Sequence, residues 1–246
     1  MDVTWHSLHE QACRPYRQAG RFAWHFARGK LGRDPVFRGI LERGLLPERA
    51  HVLDLGCGQG LLASLLATID EHVRHRRPWP EAWGRAPAHT RYTGVELMPR
   101  DVERAQRALA SANPDAAFIC GDIQKVALPD CDVVVILDVL HYFPHAGQVA
   151  VLQSIRQALS PRGRLLLRVG DAADRRRFRI SQWVDRAAAW SRGHQVAPTF
   201  CRTLDDWRQL LQGLGFSLTS LPMSQGTPFA NVLLVADLGR PAGDHA

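Results

Sequence analysis

Apolar positions recur along the chain in two rhythms. Near the N-terminus, Trp5, Leu8, Ala12, Tyr16, Phe22 and Phe26 stand at helical spacing. They predict a helical stretch over residues 4–31, broken near Pro15 and Gly20. A short helix over 35–43 stops at Gly44, with Pro47 beyond it. From residue 50 the rhythm changes. His51–Leu55 is a compact apolar run, and a glycine turn leads from it into a helix over 61–69. A second strand at 92–95 precedes a helix over 100–112. Ala117–Cys120 is a third strand; the fourth, 133–137, is β-branched and almost wholly apolar, as a strand buried on both faces should be. A helix over 147–159 turns at Ser160, Pro161 and Gly163 into a fifth strand, 164–169. Helices over about 177–190 and 204–214 follow, then strands at 216–221 and 231–236 joined by a Pro/Gly loop. The alternation predicts an α/β fold with a mostly parallel sheet and helices on both faces. Residues 1–48 form a helical segment ahead of it, 49–238 the α/β domain, and 239–246 a frayed tail.

One stretch breaks the alternation. Residues 70–91 contain Pro78, Pro80 and Pro87 with Trp79 and Trp83. That is long for a connection and too proline-rich for one helix, so it reads as a surface insertion. Its tryptophans either anchor it to the body or face a ligand. Composition narrows the class. With 46% hydrophobic residues in 246, the chain can bury a core and is not expected to be disordered. No apolar run approaches the roughly 18 residues of a membrane helix, and no basic region precedes an apolar one at the N-terminus. The formal charge is +7, with Lys30 and Lys125 the only lysines; this permits an acidic partner without naming one. Cys13, Cys57, Cys120, Cys131 and Cys201 form no CxxC pair, which argues against a disulfide framework or structural zinc. A cytoplasmic protein with no bound metal is the expectation.

The sharpest chemical signal is His-Val-Leu-Asp-Leu-Gly-Cys-Gly-Gln-Gly, residues 51–60. A strand runs into glycines at 56, 58 and 60 and then a helix. This is where an α/β sheet places its ligand, with a helix N-terminus behind the turn offering free N–H groups. A dinucleotide fingerprint would put its third glycine where Leu61 stands, and a phosphate loop needs Gly-Lys-Ser/Thr. Asp54 repels a pyrophosphate and attracts an ammonium. A ligand with an amino acid moiety and an adenosine fits best.

The DxGxGxG run of Asp54, Gly56, Cys57, Gly58 and Gly60 resembles the first motif of the class I S-adenosylmethionine (SAM)-dependent methyltransferases. The resemblance spans residues 50–236. It implies a Rossmann-like seven-stranded, mostly parallel sheet with an antiparallel C-terminal hairpin, and SAM as cofactor with S-adenosylhomocysteine (SAH) as product. It implies further that Glu96, ending the second strand, takes the ribose hydroxyls, with Leu97 or Met98 against the adenine. Asp122 and Ile123 after the third strand then serve the adenine, and Leu137 and Asp138 after the fourth face the methionine part. Taken singly, Asp122 and Asp138 also read as turn or cap residues.

The acceptor is less legible. Asp138-Val139-Leu140-His141-Tyr142-Phe143-Pro144 lacks the Asn/Asp-Pro-Pro-aromatic motif of DNA amino-methyltransferases and resembles small-molecule methyltransferases. His141 is a candidate general base, with His25 the second; His141 also reads as a packing or capping residue. The segment 20–31 interleaves aromatics with cations. As a cap over the active site, Trp24 and Phe26, with Tyr142, would wall the acceptor, and Arg21, Arg28 or Lys30 would hold a carboxylate. Otherwise it is an amphipathic helix with a solvated basic face. This segment, Asp34-Pro35-Val36-Phe37 after it, and residues 222–231 resemble methyltransferases of aryl polyene pigment biosynthesis. That implies methylation, at carbon or oxygen, of a phenolic aryl acid or its thioester on an acidic acyl carrier protein. An RNA or protein methyltransferase is the alternative enzyme, with Arg175, Arg176, Arg177 and Arg179 as phosphate contacts or a solvated face. A SAM-binding inactive partner subunit is the third reading.

Overall fold

The computed structural model describes residues 3–113, 115–170, 199–223 and 231–239. These residues form a seven-stranded sheet in the order β3-β2-β1-β4-β5-β7-β6, strands numbered in chain order. The strands are β1 His51–Leu55, β2 Arg91–Glu96, β3 Ala117–Cys120, β4 Cys131–Leu137, β5 Leu159–Gly170, β6 Ser217–Pro222 and β7 Asn231–Asp237. The chain divides into two compact units at Val133/Val134, inside β4.

In the first unit, helix α1 (Val3–Cys13), a 3-10 turn (Arg14–Arg17), α2 (Arg21–Arg33) and α3 (Pro35–Glu42) precede β1. The Asp34 side chain accepts the Val36 N–H and Pro35 opens α3, so this start is built from a cap and a prefixed φ. Strands β1, β2 and β3 are parallel, with Leu55 opposite Val95 and Val95 opposite Ile119. The register brings the ends of β1 and β2 side by side, which is what gathers Asp54, Glu96 and the glycine turn. Helix α4 (Leu61–Arg74) follows the turn and α5 (Pro99–Leu109) follows β2. The first segment is tied to α4: the Ser64 hydroxyl donates to the Ala12 carbonyl at 2.7 Å.

The expected insertion is shorter than residues 70–91. α4 runs five residues past Ile69 because His72 continues its buried face. The remainder is anchored. His72 Nε2 lies 2.9 Å from the Pro78 carbonyl, the Trp79 indole donates to the Gly84 carbonyl at 2.7 Å, and the Gly84 N–H donates to the Glu42 carbonyl at 3.0 Å. Trp79 and Trp83 meet edge to face at 5.3 Å. The tryptophans therefore serve the anchor.

In the second unit, β4 leads through a 3-10 turn (Leu140–Tyr142) to helix α6 (His145–Ala158) and β5. β5 starts at Leu159, earlier than predicted, since Pro161 cannot continue a helix and the chain goes extended at once. Helix α7 (Leu204–Gly213) opens with a reciprocal Thr203–Asp206 capping box. β7 pairs antiparallel with both β5 and β6, the expected C-terminal hairpin. Val133–Ile136, Leu165–Leu167, Leu233 and Leu234 are inaccessible to solvent. The predicted helix near 177–190 with its arginine cluster, the loop 224–230 and the tail from 240 lie outside the described residues.

Candidate cofactor site and acceptor-side turn

In the first unit the glycine turn is fastened to β2. The Gly56 and Cys57 N–H groups donate to the Val95 carbonyl at 2.8 and 3.2 Å, and the Gly60 N–H to the Cys57 carbonyl at 3.0 Å. The Gly58 N–H donates to Glu96 Oε2 at 3.0 Å, while Glu96 Oε1 accepts the Met98 N–H at 2.9 Å. Four amides of the turn are thus already spent inside the chain. What the turn presents is a carboxylate, each of whose oxygens keeps lone-pair capacity for a hydroxyl. Beside it Leu97 is 63% exposed, an apolar surface next to a carboxylate. Gly60 has φ +71°, and a Cβ there would lie 2.9 Å from the Phe118 ring, so both conformation and space call for glycine. Above Gly58 the space is open.

Asp54 lies beneath the turn, buried, and accepts the Tyr92 hydroxyl at 2.7 Å. Burial pushes its carboxyl up to about 7; the Tyr92 bond pulls it down, and the charge of Glu96 pushes it up. Cys57 is buried too, and burial raises its thiol well above the usual range, so it is inert as a nucleophile. Asp122 caps its own turn, accepting the Gln124 N–H at 3.0 Å with Lys125 3.8 Å away; Ile123 is buried beside it. This donor set suits adenosine and an amino acid cation better than phosphate: carboxylates, an apolar ledge and an open space.

Sequence reasoning missed Tyr16. It stood there as an apolar position of a helix, but its hydroxyl donates to the Gln59 carbonyl at 2.8 Å, within the glycine turn. Burial holds the phenol well above its ordinary range, so it remains a donor.

The N-terminal candidates are dispersed over α2. Trp24 is flanked by the guanidiniums of Arg17 and Arg28 at 5.4 and 5.0 Å, whereas Phe26 stacks on Phe22 at 6.1 Å. Arg28 pairs with Glu10 at 3.3 Å and Lys30 with Asp34 at 2.7 Å, so two of the three expected carboxylate holders already have acidic partners. Arg21 and His25 are exposed.

The second unit carries the other candidates. Leu137 ends β4, and Asp138 follows with φ +61°, a left-handed conformation uncommon outside glycine. Its carboxylate is gripped by Arg168 of β5, whose Nε donates to Oδ1 at 2.8 Å and whose Nη2 bonds Oδ2. Arg168 is buried; its sequence signal is a lone cation in the apolar run Leu165–Val169. His141 and Tyr142 sit in the 3-10 turn, their rings 4.2 Å apart and Tyr142 exposed. The fully buried Gln148 fixes this turn. Its amide nitrogen reaches the carbonyls of Leu140, Phe143 and Phe200 at 3.2, 3.0 and 2.7 Å, and its oxygen accepts Arg202 Nε at 2.7 Å. The His141 carbonyl accepts the Phe200 N–H at 2.7 Å. An imidazole on so constrained a backbone can hold a fixed position toward an acceptor.

Among the described residues, no group of three or more His, Cys, Asp or Glu is placed to hold a metal, and no helix is long and apolar enough to cross a membrane. A family model described as a methyltransferase domain matches residues 23–221. Carboxy-S-adenosyl-L-methionine synthase of Haemophilus ducreyi is 29% identical over 131 residues, 52% of this chain and 48% of that protein. The enzyme of the same name from Chromohalobacter salexigens is 33% identical over 132 residues, 50% and 43% of the two. The chain thus spans about half the length of these curated relatives. Magnesium protoporphyrin IX methyltransferase from Synechocystis PCC 6803, solved with bound SAH, has the same fold: TM-score 0.58, 18% identity, coverage 96% and 99%. So does human N-acetylserotonin methyltransferase in complex with SAM, with TM-score 0.59, 20% identity and coverage 92% and 58%.

Proposed function

The chain belongs to the methyltransferase domain family, and we propose that it is a SAM-dependent methyltransferase whose acceptor is a small molecule: a phenolic aryl acid, free or as a thioester on an acidic carrier protein. The observation that carries the cofactor part is the acidic turn, where the Glu96 carboxylate joins the Gly58 and Met98 amides above a buried Asp54. SAM supplies an electrophilic methyl group on a sulfonium. Glu96 holds the ribose hydroxyls, Leu97 and Met98 cover the adenine with Ile123, and Asp122 takes its amino group. Asp54 contributes a negative charge beneath the turn that favours a cationic ligand. On the acceptor side His141 removes the phenol or ring proton as the methyl group arrives, held in place by Gln148. The basic side of α2 and the turn before it caps the site and receives the acceptor or its carrier, for which Arg17 and Arg21 provide charge. The protein acts in the cytoplasm.

A second reading follows the curated relatives by name: the chain would then modify SAM itself rather than pass on its methyl group. The test is labelled SAM with 4-hydroxyphenyl acids, free and carrier-loaded, and in a parallel series with a carboxylic acid that can give up its carboxyl group, read by mass spectrometry. One added methyl on the aryl acid supports the proposal, and fragmentation separates carbon from oxygen. A carboxyl gained by SAM and lost by the donor acid, with no methylated acid, favours the second reading. Methyl transfer to RNA or protein, or SAM left unchanged in every series by a sample that binds it, would sink both.

A further inference from the structure

We infer that Tyr16 is a positioning residue for the cofactor turn, and that through it SAM binding and docking of the N-terminal helical segment favour each other. The inference rests on the cofactor site described above. The amides of Gly56, Cys57, Gly58 and Gly60 are tied within the chain, but none of those bonds reaches the Gln59 carbonyl. Gly58 and Gly60, on either side of Gln59, both lie at positive φ, +55° and +71°. Successive peptides there point in different directions, and no regular ladder can hold the Gln59 carbonyl. The Tyr16 hydroxyl takes that role at 2.8 Å from 43 residues away in the chain. Both residues are buried, so water does not substitute for the phenol.

The segment carrying Tyr16 has another tie that can serve as a control. The Arg77 guanidinium, beyond the end of α4, donates to Gln11 Oε1 at 3.0 Å. The Ser64 hydroxyl is no such control, because it also bonds the Tyr16 side chain. The Tyr16 and Arg77 bonds fasten the same segment, but only the Tyr16 bond fixes a carbonyl inside the turn. A general loss of stability would follow from breaking either. A loss of cofactor affinity should follow from breaking one. Coupling is reciprocal: if the Tyr16 bond favours ligand by some factor, ligand favours the docked segment by the same factor.

The experiment is calorimetric titration of SAH into wild type, Tyr16→Phe and Arg77→Ala, with melting temperatures, and hydrogen exchange of residues 14–19 with and without SAH. Tyr16→Phe keeps the ring and removes the donor. We expect it to bind SAH about tenfold more weakly. Arg77→Ala should bind SAH within twofold of wild type. SAH should slow exchange at the Gln18 and Ala19 amides, which donate to the Pro15 and Tyr16 carbonyls. That slowing should shrink in Tyr16→Phe. Equal affinity of Tyr16→Phe and wild type would overturn the inference, as would equal weakening by Arg77→Ala or exchange in wild type indifferent to SAH. A wild-type protein that binds no SAH would overturn the cofactor site itself, and this inference with it.

Discussion

Replacing Asp54 by Asn should flatten the pH dependence of SAM binding. Wild-type Asp54 is buried with a carboxyl raised to about 7. Below that pH the group under the turn is neutral, and a cationic ligand gains nothing from it. Suppose the bound cation restores an ordinary carboxyl, near 3.8. The ionised fraction before binding is then about 0.9 at pH 8 and about 0.01 at pH 5, so affinity falls about 80-fold between them. Asn keeps the shape and resembles the protonated form, so D54N should bind weakly at both pH values. Titration calorimetry with SAM at half-unit steps, on both proteins, gives the difference in slope. That difference cancels the ligand's own titration and any contribution of Glu96. Parallel slopes in the two proteins would refute the reasoning.

The same shift has a sign for stability. An acid whose folded pKa is raised favours folding while protonated, below about 4, and that contribution is lost as pH rises toward 7. The full loss is about 4 kcal/mol at 1.36 kcal/mol per unit. Denaturation of the ligand-free protein should therefore show wild type losing ground to D54N between pH 4 and pH 7. A constant gap would show that Asp54 is ionised throughout.

Gly60→Ala meets both a left-handed backbone and the Phe118 ring; it should destabilise by about 1–3 kcal/mol and weaken SAH binding, checked by urea denaturation and calorimetry. Asp138→Ala leaves the buried Arg168 guanidinium short of its partner and should cost about 3–5 kcal/mol, with Arg168→Met in the same chain recovering part of it in a double-mutant cycle. His141→Ala should lower kcat about 100-fold or more with SAM affinity within threefold; unchanged turnover would remove His141 as the base.

The sheet and the cofactor turn were legible because their signals are local. A short run holding Val52, Leu53 and Leu55, followed by alternate glycines, specifies a strand, a turn and a helix within a single stretch of chain, and Glu96 stands out because it ends the next strand. The length of α4 was not legible: the prolines at 78, 80 and 87 marked the whole stretch from residue 70 as an insertion, while the burial of His72 depends on a partner at Pro78. The aromatics of α2 were read as one wall because they alternate in sequence, yet at 100° per residue Trp24 and Phe26 diverge, and each found its own neighbours.

The residues missed altogether share a cause. The Tyr16 and Arg168 bonds reach across 43 and 30 residues, and Gln148, which grips its own turn across 8 and 5 residues, also reaches Phe200 across 52. Periodicity names no partner for any of them, and all three are buried. Their polar ends nonetheless hold the three irregular pieces of backbone that carry the candidate chemistry: the glycine turn, Asp138 and the turn of His141. None of these pieces has a ladder of its own, because ligand-facing backbone at the end of a strand leaves the sheet. A buried donor reaching in from another element stands in for the missing ladder, and it stays fixed because leaving its acceptor unsatisfied is costly. Polar groups buried inside an apolar run, such as Arg168 after three leucines, are therefore the sequence positions from which support of a site can be read.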